Sequence, residues 1–149
     1  MPEKRTLKKA RAAKRAGMSP STQAGAFVHE EIEHVREGKH GARSTKQAIA
    51  IGLAKARRAG VKLPPPPSSA KETTKRSAAS ASRAGMSHRK PSARRSRAML
   101  KRLKRERHDT VSTKALSRQA TNAARRRSAA ARKRSAQKAA RTRRRRASA

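Results

Sequence analysis

The sequence predicts a mostly α protein: a small helical hairpin flanked by disordered basic arms. Three observations lead there. Residues 21–63 hold the only Phe, all three Ile and half of the eight acidic residues. Within that stretch apolar residues recur at helical spacing between good capping residues. Outside it the chain is Lys, Arg, Ala and Ser, with few large apolar side chains to bury.

The formal net charge is +35 over 149 residues, with one aromatic residue. Low hydrophobicity combined with high net charge does not offset the entropy of ordering a chain. One small folded unit is therefore expected, rather than a full domain of this length. Residues 1–20 carry a net +6, residues 21–63 a net +4 and residues 64–149 a net +25. A segment so charged repels itself until a polyanion neutralises it. The absence of Cys excludes disulfides and thiolate chemistry. No apolar run approaches the roughly 20 residues of a membrane-spanning helix. The start, MPEKRTLKKARAAKRAG, is charged but has no apolar core, so no secretory leader is expected.

Residues 1–18 read as a basic N-terminal arm. Their Lys, Arg and Ala favour a transient helix, but only Leu7 offers an anchor. The hairpin spans 19–63. Ser19 and Pro20 suit the N-cap and first position of a helix. Counted from Glu30 at 100° per residue, Ala24, Val28, Ile32 and Val35 fall between about 120° and 200°. Glu30, Glu33 and Glu37 lie within about 60° of zero, forming an acidic stripe opposite the apolar face. Gly38 is placed to end this helix.

A short connection through Lys39, Gly41 and Arg43 leads to Ser44-Thr45-Lys46-Gln47, a capping box. The second helix runs to Ala59, with Ile49, Gly52, Leu53, Ala56 and Ala59 on one face. Gly60 is a Schellman-type stop from which Val61 and Leu63 fold back. Two helices joined this way form an antiparallel pair, with Ile32 expected to face Leu53. Nine large apolar residues in 43 make a thin core. Units of about 40 residues usually need a partner or a metal, so a homodimer through the apolar faces is expected.

Pro64 to Pro67 form a stiff linker. From 68 to 149 an Ala/Arg/Lys/Ser-rich tail follows, expected to be disordered. Its six large apolar residues are Met86, Met99, Leu100, Leu103, Val111 and Leu116, too few to close a core. The Arg-Ala-Gly triplets at Arg15, Arg58 and Arg83 read as low complexity.

His29 and His34 flank three acids in an arrangement that invites a zinc reading. They stand at i and i+5, about 140° apart on a helix, whereas a His-Glu-x-x-His site needs i and i+4. Two surface histidines are expected, with no metal site and no cofactor. Gly38-Lys39-His40 lacks the other residues of a phosphate-binding loop. No nucleophile and base are set at recognisable spacing, so no enzyme and no small-molecule substrate are expected.

The stretch GKHGARSTKQAIAIGLAKARRAGVKLPPP, Gly38 to Pro66, resembles a motif of a family of small, basic bacterial proteins of unknown function. PSTQAGAFVHEEIEHVREG before it fits the same family. The resemblance covers roughly residues 19–66 and implies no activity. The tail is similar in composition to the C-terminal tails of linker histones and of bacterial histone H1-like proteins. That likeness implies binding to DNA.

The expected function is sequence-independent binding of double-stranded DNA by phosphate neutralisation, in the cytoplasm and at the nucleoid. The contacts are assigned to Lys55, Arg57 and Arg58 in the hairpin and to Lys101, Arg102, Lys104 and Arg105 in the tail. Further along, Arg125, Arg126, Arg127, Arg132, Lys133, Arg134, Lys138 and Arg141 join them, ending in the run Arg143, Arg144, Arg145 and Arg146. Without Trp or Tyr, base stacking is closed, and contacts go to phosphates. The acidic stripe should stay off DNA and could hold a basic segment of the chain instead. Alternatives are an RNA-binding or ribosome-associated basic protein, or a protein-interaction hairpin localised by its arms. Arg-Arg-Ser sequences at Ser96 and Ser128 would let a phosphate cancel nearby positive charge.

Overall fold

The computed structural model describes residues 2–87 and 92–148. The mostly α expectation holds, with no strand among the described residues. In chain order the helices are α1 (Lys4–Arg15), α2 (Pro20–Arg36), α3 (Thr45–Arg58), α4 (Glu72–Met86), α5 (Ala93–Leu103), α6 (Thr113–Arg125) and α7 (Ala129–Ala147). A 3-10 turn, Asp109–Val111, precedes α6. The chain divides into two compact units, one ending at Ser112 and the other beginning at Thr113.

The hairpin forms as its caps dictate. The Ser19 hydroxyl accepts from Thr22 N at the start of α2, and Ser44 Oγ accepts from Gln47 N at 3.2 Å at the start of α3. Gln47 reaches back one residue further than in a capping box, accepting from Arg43 N at 2.7 Å. Gly52 sets the approach of the two helices. A Cβ there would lie 2.6 Å from Val28 Cα, so only glycine permits this backbone contact.

Arg15-Ala16-Gly17 and Arg58-Ala59-Gly60 are not low complexity. Both glycines adopt left-handed φ, 64° and 86°, and both triplets close Schellman motifs. Met18 N donates to Ala13 O at 2.9 Å, and Val61 N to Ala56 O at 3.1 Å. The third triplet, ending at Gly85, lies inside α4 and serves close packing instead.

Two apolar clusters form, and they correct the predicted register. Phe27 and Ala24 of α2 meet Ala56 and Val61, flanked by Leu53 and Leu63. Val35, with Ile32 against it, meets Ala48, Ala42 and Val111. Ile32 and Leu53 therefore belong to different clusters. In an antiparallel pair the last turns of α2 oppose the first turns of α3, which puts Ile32 beside Ala48 rather than Leu53.

The first eighteen residues are not a free arm. Helix α1 docks on α2, with Thr6 and Ala10 buried and Leu7 packed against the Phe27 cluster. Small residues let its backbone come close, so one leucine suffices. Helix α1 lies against the Glu30 and Glu33 part of the acidic stripe, which corrects the expectation of an exposed face there, while Glu37 stays exposed beside Lys39. Glu30 is 2% exposed and accepts from Glu3 N at 3.1 Å and from the Thr6 hydroxyl. Arg5 Nη2 reaches Glu33 Oε2 at 3.2 Å.

Two stretches expected within a disordered tail, 72–86 and 103–112, fold onto the hairpin, while α5 is exposed apart from Leu103. Helix α4 packs on α3 through Ala78, Ala81 and Gly85. Beyond α5 the chain lies over the α2–α3 connection. Gly41 N donates to Leu103 O at 2.9 Å and Ala42 N to Arg107 O at 2.8 Å, while Thr110 Oγ1 donates to Ala42 O at 2.9 Å. Val111, fully buried, closes the second cluster. The scarce apolar residues of this region do not make their own core; Val111 completes the hairpin's.

Two consequences are measurable by thermal melting followed by circular dichroism. Val111→Asp places an unpaired charge in that cluster and should unfold the first unit, whereas a residue of a free tail would tolerate it. Thr6→Val removes one hydrogen bond from a buried carboxylate and should cost about 1–3 kcal/mol.

Candidate nucleic-acid interface and a buried polar centre

Charge is divided unequally between the two units. All eight acidic residues precede Thr113, and the 37 residues from Thr113 onward carry fourteen Lys and Arg and no acid. No described residue of 113–148 is buried. Helix α7 begins at Ser128, whose hydroxyl accepts from Ala131 N at 3.2 Å, and at about 1.5 Å per residue its 19 residues extend about 28 Å. Arg132, Lys133, Arg134, Lys138, Arg141, Arg143, Arg144 and Arg145 are all exposed on it, distributed around its axis rather than along one stripe. Arg125, Arg126 and Arg127 are exposed at the junction of α6 and α7. The side chain of Arg146 lies outside the described part.

In the first unit Lys101, Arg102, Lys104 and Arg105 are exposed at the end of α5 and just after it, and Arg58 is exposed at the end of α3. Arg57 is half-buried, its guanidinium donating to Pro64 O at 2.9 Å. A cationic row that the sequence reading passed over is Lys4, Lys8, Arg11 and Arg15. These residues flank Leu7 along the outer side of α1. Their i, i+4, i+7, i+11 spacing was available in the sequence; treating the segment as unstructured hid it.

Lys55 is a correction. Expected at the nucleic-acid surface, it instead points its ammonium inward, 2.6 Å from Glu31 Oε2 and 3.4 Å from Glu30 Oε1. Glu31 is fully buried and Glu30 almost so. Two carboxylates in the interior need a cation, and the Lys55 ammonium reaches both. Burial pushes the Glu30 carboxyl up, but hydrogen bonds from Thr6 and the Glu3 backbone, with the Lys55 charge, bring it below its ordinary value.

His34 is not a surface histidine either. Its side chain is 14% exposed, and Nε2 donates to Glu3 Oε1 at 2.9 Å. That hydrogen bond, followed by the one from Arg5, lowers the Glu3 carboxyl to about 2. His40, 7% exposed, is brought back over α2 by the turn at Gly38, where Lys39 N donates to His34 O at 3.0 Å. Its Nδ1 donates to Gly41 O at 3.0 Å, and its Nε2 lies 3.3 Å from Glu31 Oε1. Glu31, His34 and His40 each present one ligand atom within 4.8 Å of the others'. His29 remains at the surface, 67% exposed, beside Glu33.

The sequence reading missed this centre, although one signal was present. Glu31 stands four residues after Phe27 and four before Val35, on the buried side of α2. A carboxylate in that position implies interior partners.

Fold and surface together define a small, strongly basic helical protein with a polar centre between its first three helices. Residues 11–66 match a family described as "Family of unknown function (DUF6496)". The matched span runs from within α1 into the proline run and includes Glu31, His34, His40 and Lys55. No curated protein and no solved structure matches the chain. No helix among the described residues is long and apolar enough to cross a membrane.

Lys55→Met leaves two interior carboxylates without their ammonium. It should lower stability by about 2 kcal/mol or more in urea unfolding, whereas Arg132→Ala on exposed α7 should change it by less than about 0.5 kcal/mol.

Proposed function

We propose that this chain is a non-enzymatic, sequence-independent DNA-binding protein that acts by neutralising phosphates, as histone H1-like and nucleoid-associated proteins do. The observation that carries this reading is the second unit: fourteen basic residues, no acidic ones, and no buried residue among those described. A helical segment with this charge has no internal counter-ions to satisfy it. Double-stranded DNA presents one negative charge per about 1.7 Å of axis, and each phosphate neutralised releases condensed cations.

The charge surrounds α7 instead of forming a patterned face. Such a helix tracks the phosphate backbone and reads no base edges. The row Lys4, Lys8, Arg11 and Arg15 and the cluster Lys101, Arg102, Lys104 and Arg105 extend the cationic surface on the first unit. Its acids do not compete for them strongly, because most are paired within the unit. The lone Phe27 is in the core, so stacking on bases contributes nothing.

A salt titration of binding tests the reading. For the full chain, log K should fall linearly with log salt, with a slope of about −0.9 for each duplex phosphate contacted. Two unrelated duplexes should give the same line. A chain ending at Ser112 keeps the first unit and loses fourteen of 43 basic residues. Its slope should be shallower by about 5 units if six of those residues meet phosphates. Sequence-selective binding, or a slope unchanged by the truncation, would overturn the assignment. Preference for an RNA duplex or hairpin over DNA at equal salt would move the function to RNA.

A further inference from the structure

We propose that Glu31, His34 and His40 form a binding site for a zinc ion that pins the α2–α3 connection to the inner face of α2. The donor set, two imidazoles and a carboxylate, is one that zinc takes, with a fourth position left for water.

The geometry supports a cation between these groups. Both oxygens of Glu31 are buried and accept no hydrogen bond of good geometry, although Lys55 stands 2.6 Å from Oε2. An interior carboxylate without hydrogen bonds is costly, and one satisfied by a metal is not. His40 donates Nδ1–H to the Gly41 carbonyl, since a carbonyl only accepts. In the neutral ring Nε2 is then a lone pair, and it faces Glu31 Oε1 at 3.3 Å. Two lone pairs at that distance repel, and a cation between them turns the repulsion into coordination.

His34 is held in the same fashion. One ring nitrogen donates to the Glu3 carboxylate at 2.9 Å, which leaves the other as the ligand nitrogen. A histidine ligand whose second nitrogen donates to a carboxylate or a backbone carbonyl is the usual outer shell of a metal site. Both histidines have that arrangement here, one with each kind of acceptor. The surroundings suit a divalent ion in an otherwise cationic protein. Glu3, Glu30 and Glu31 converge on this region, while Lys55 is committed to Oε2 of Glu31 and so leaves Oε1 to the metal. The second apolar cluster, which contains Val35 and Ala42, borders the same connection, so an ion here would tie the two ends of that core together.

The test uses the full chain, dialysed against a chelator and titrated with zinc chloride in competition with a chromophoric chelator. One zinc per chain should bind with micromolar or tighter affinity. At a hundredfold excess over its Kd, zinc should raise the melting temperature of the first unit by roughly 10 °C. His34→Gln and His40→Gln should each weaken binding by at least about tenfold, and Glu3→Gln should weaken it through loss of the outer-shell hydrogen bond. His29→Gln should leave affinity unchanged. Nitrogen-15 spectra of the unmutated protein give a readout that needs no variant: zinc should shift the ring nitrogens of His34 and His40 and leave those of His29 and His108 in place. Absence of saturable binding, equal shifts at all the histidines, or undiminished affinity in His40→Gln would overturn the proposal.

Discussion

The burial of Glu30 and Glu31 on adjacent positions of α2 is the constraint on which the first unit depends. Two carboxylates cannot enter an interior without compensation, and the compensating groups come from two other helices. Lys55 comes from α3, and the Thr6 hydroxyl and Glu3 backbone come from the start of α1. The apolar clusters are small and built largely of alanine, so they supply cohesion but little direction. The charged pair supplies the direction. It decides which face of α2 receives α1 and which face of α3 it meets.

The same constraint explains what could be read from the sequence and what could not. The hairpin, its caps at Ser19 and Ser44 and its stops at Gly38 and Gly60 are local features, set by residues within a turn of one another, and local rules recover them. The faces are different. A helical wheel ranks positions by apolar content, and by that measure Glu30 belongs outside. Its partners lie 24 to 27 positions before it and 25 after it, beyond any local window. Leu7 likewise looked insufficient as an anchor, because alanine and threonine at a helix contact do not register as apolar mass. Of the interface residues, those from Arg125 onward needed only composition. Lys55 has the same composition and charge as its neighbours, and only its position opposite Glu31 separates it from them.

The two units embody opposite uses of charge. In the first, the eight acids are set among the bases, two of them in the interior, and small apolar clusters form although the net charge is +21. In the second nothing offsets the cations, and helix propensity from Ala, Arg and Lys is the only local support for α6 and α7. A helix of that kind gains its stability from whatever neutralises it.

The seal over the α2–α3 connection has a consequence for how the chain is made. Thr110 reaches back 68 positions to Ala42, and Val111 reaches back 75 to Arg36. Helices α1 to α3 rely on near neighbours and form quickly, but the second cluster stays open to water until the segment after α5 arrives. On a ribosome, synthesis runs N-terminal first at roughly 5–20 residues per second, so the nascent protein exposes Val35 and Ala48 for several seconds after its hairpin has formed. The cationic segment from Thr113 onward follows that seal, joining a unit that has just become able to close. A chain stopped before Thr110 would carry an open second cluster and none of the fourteen basic residues after Ser112, so the densest cationic segment is present only on chains that can already close that cluster.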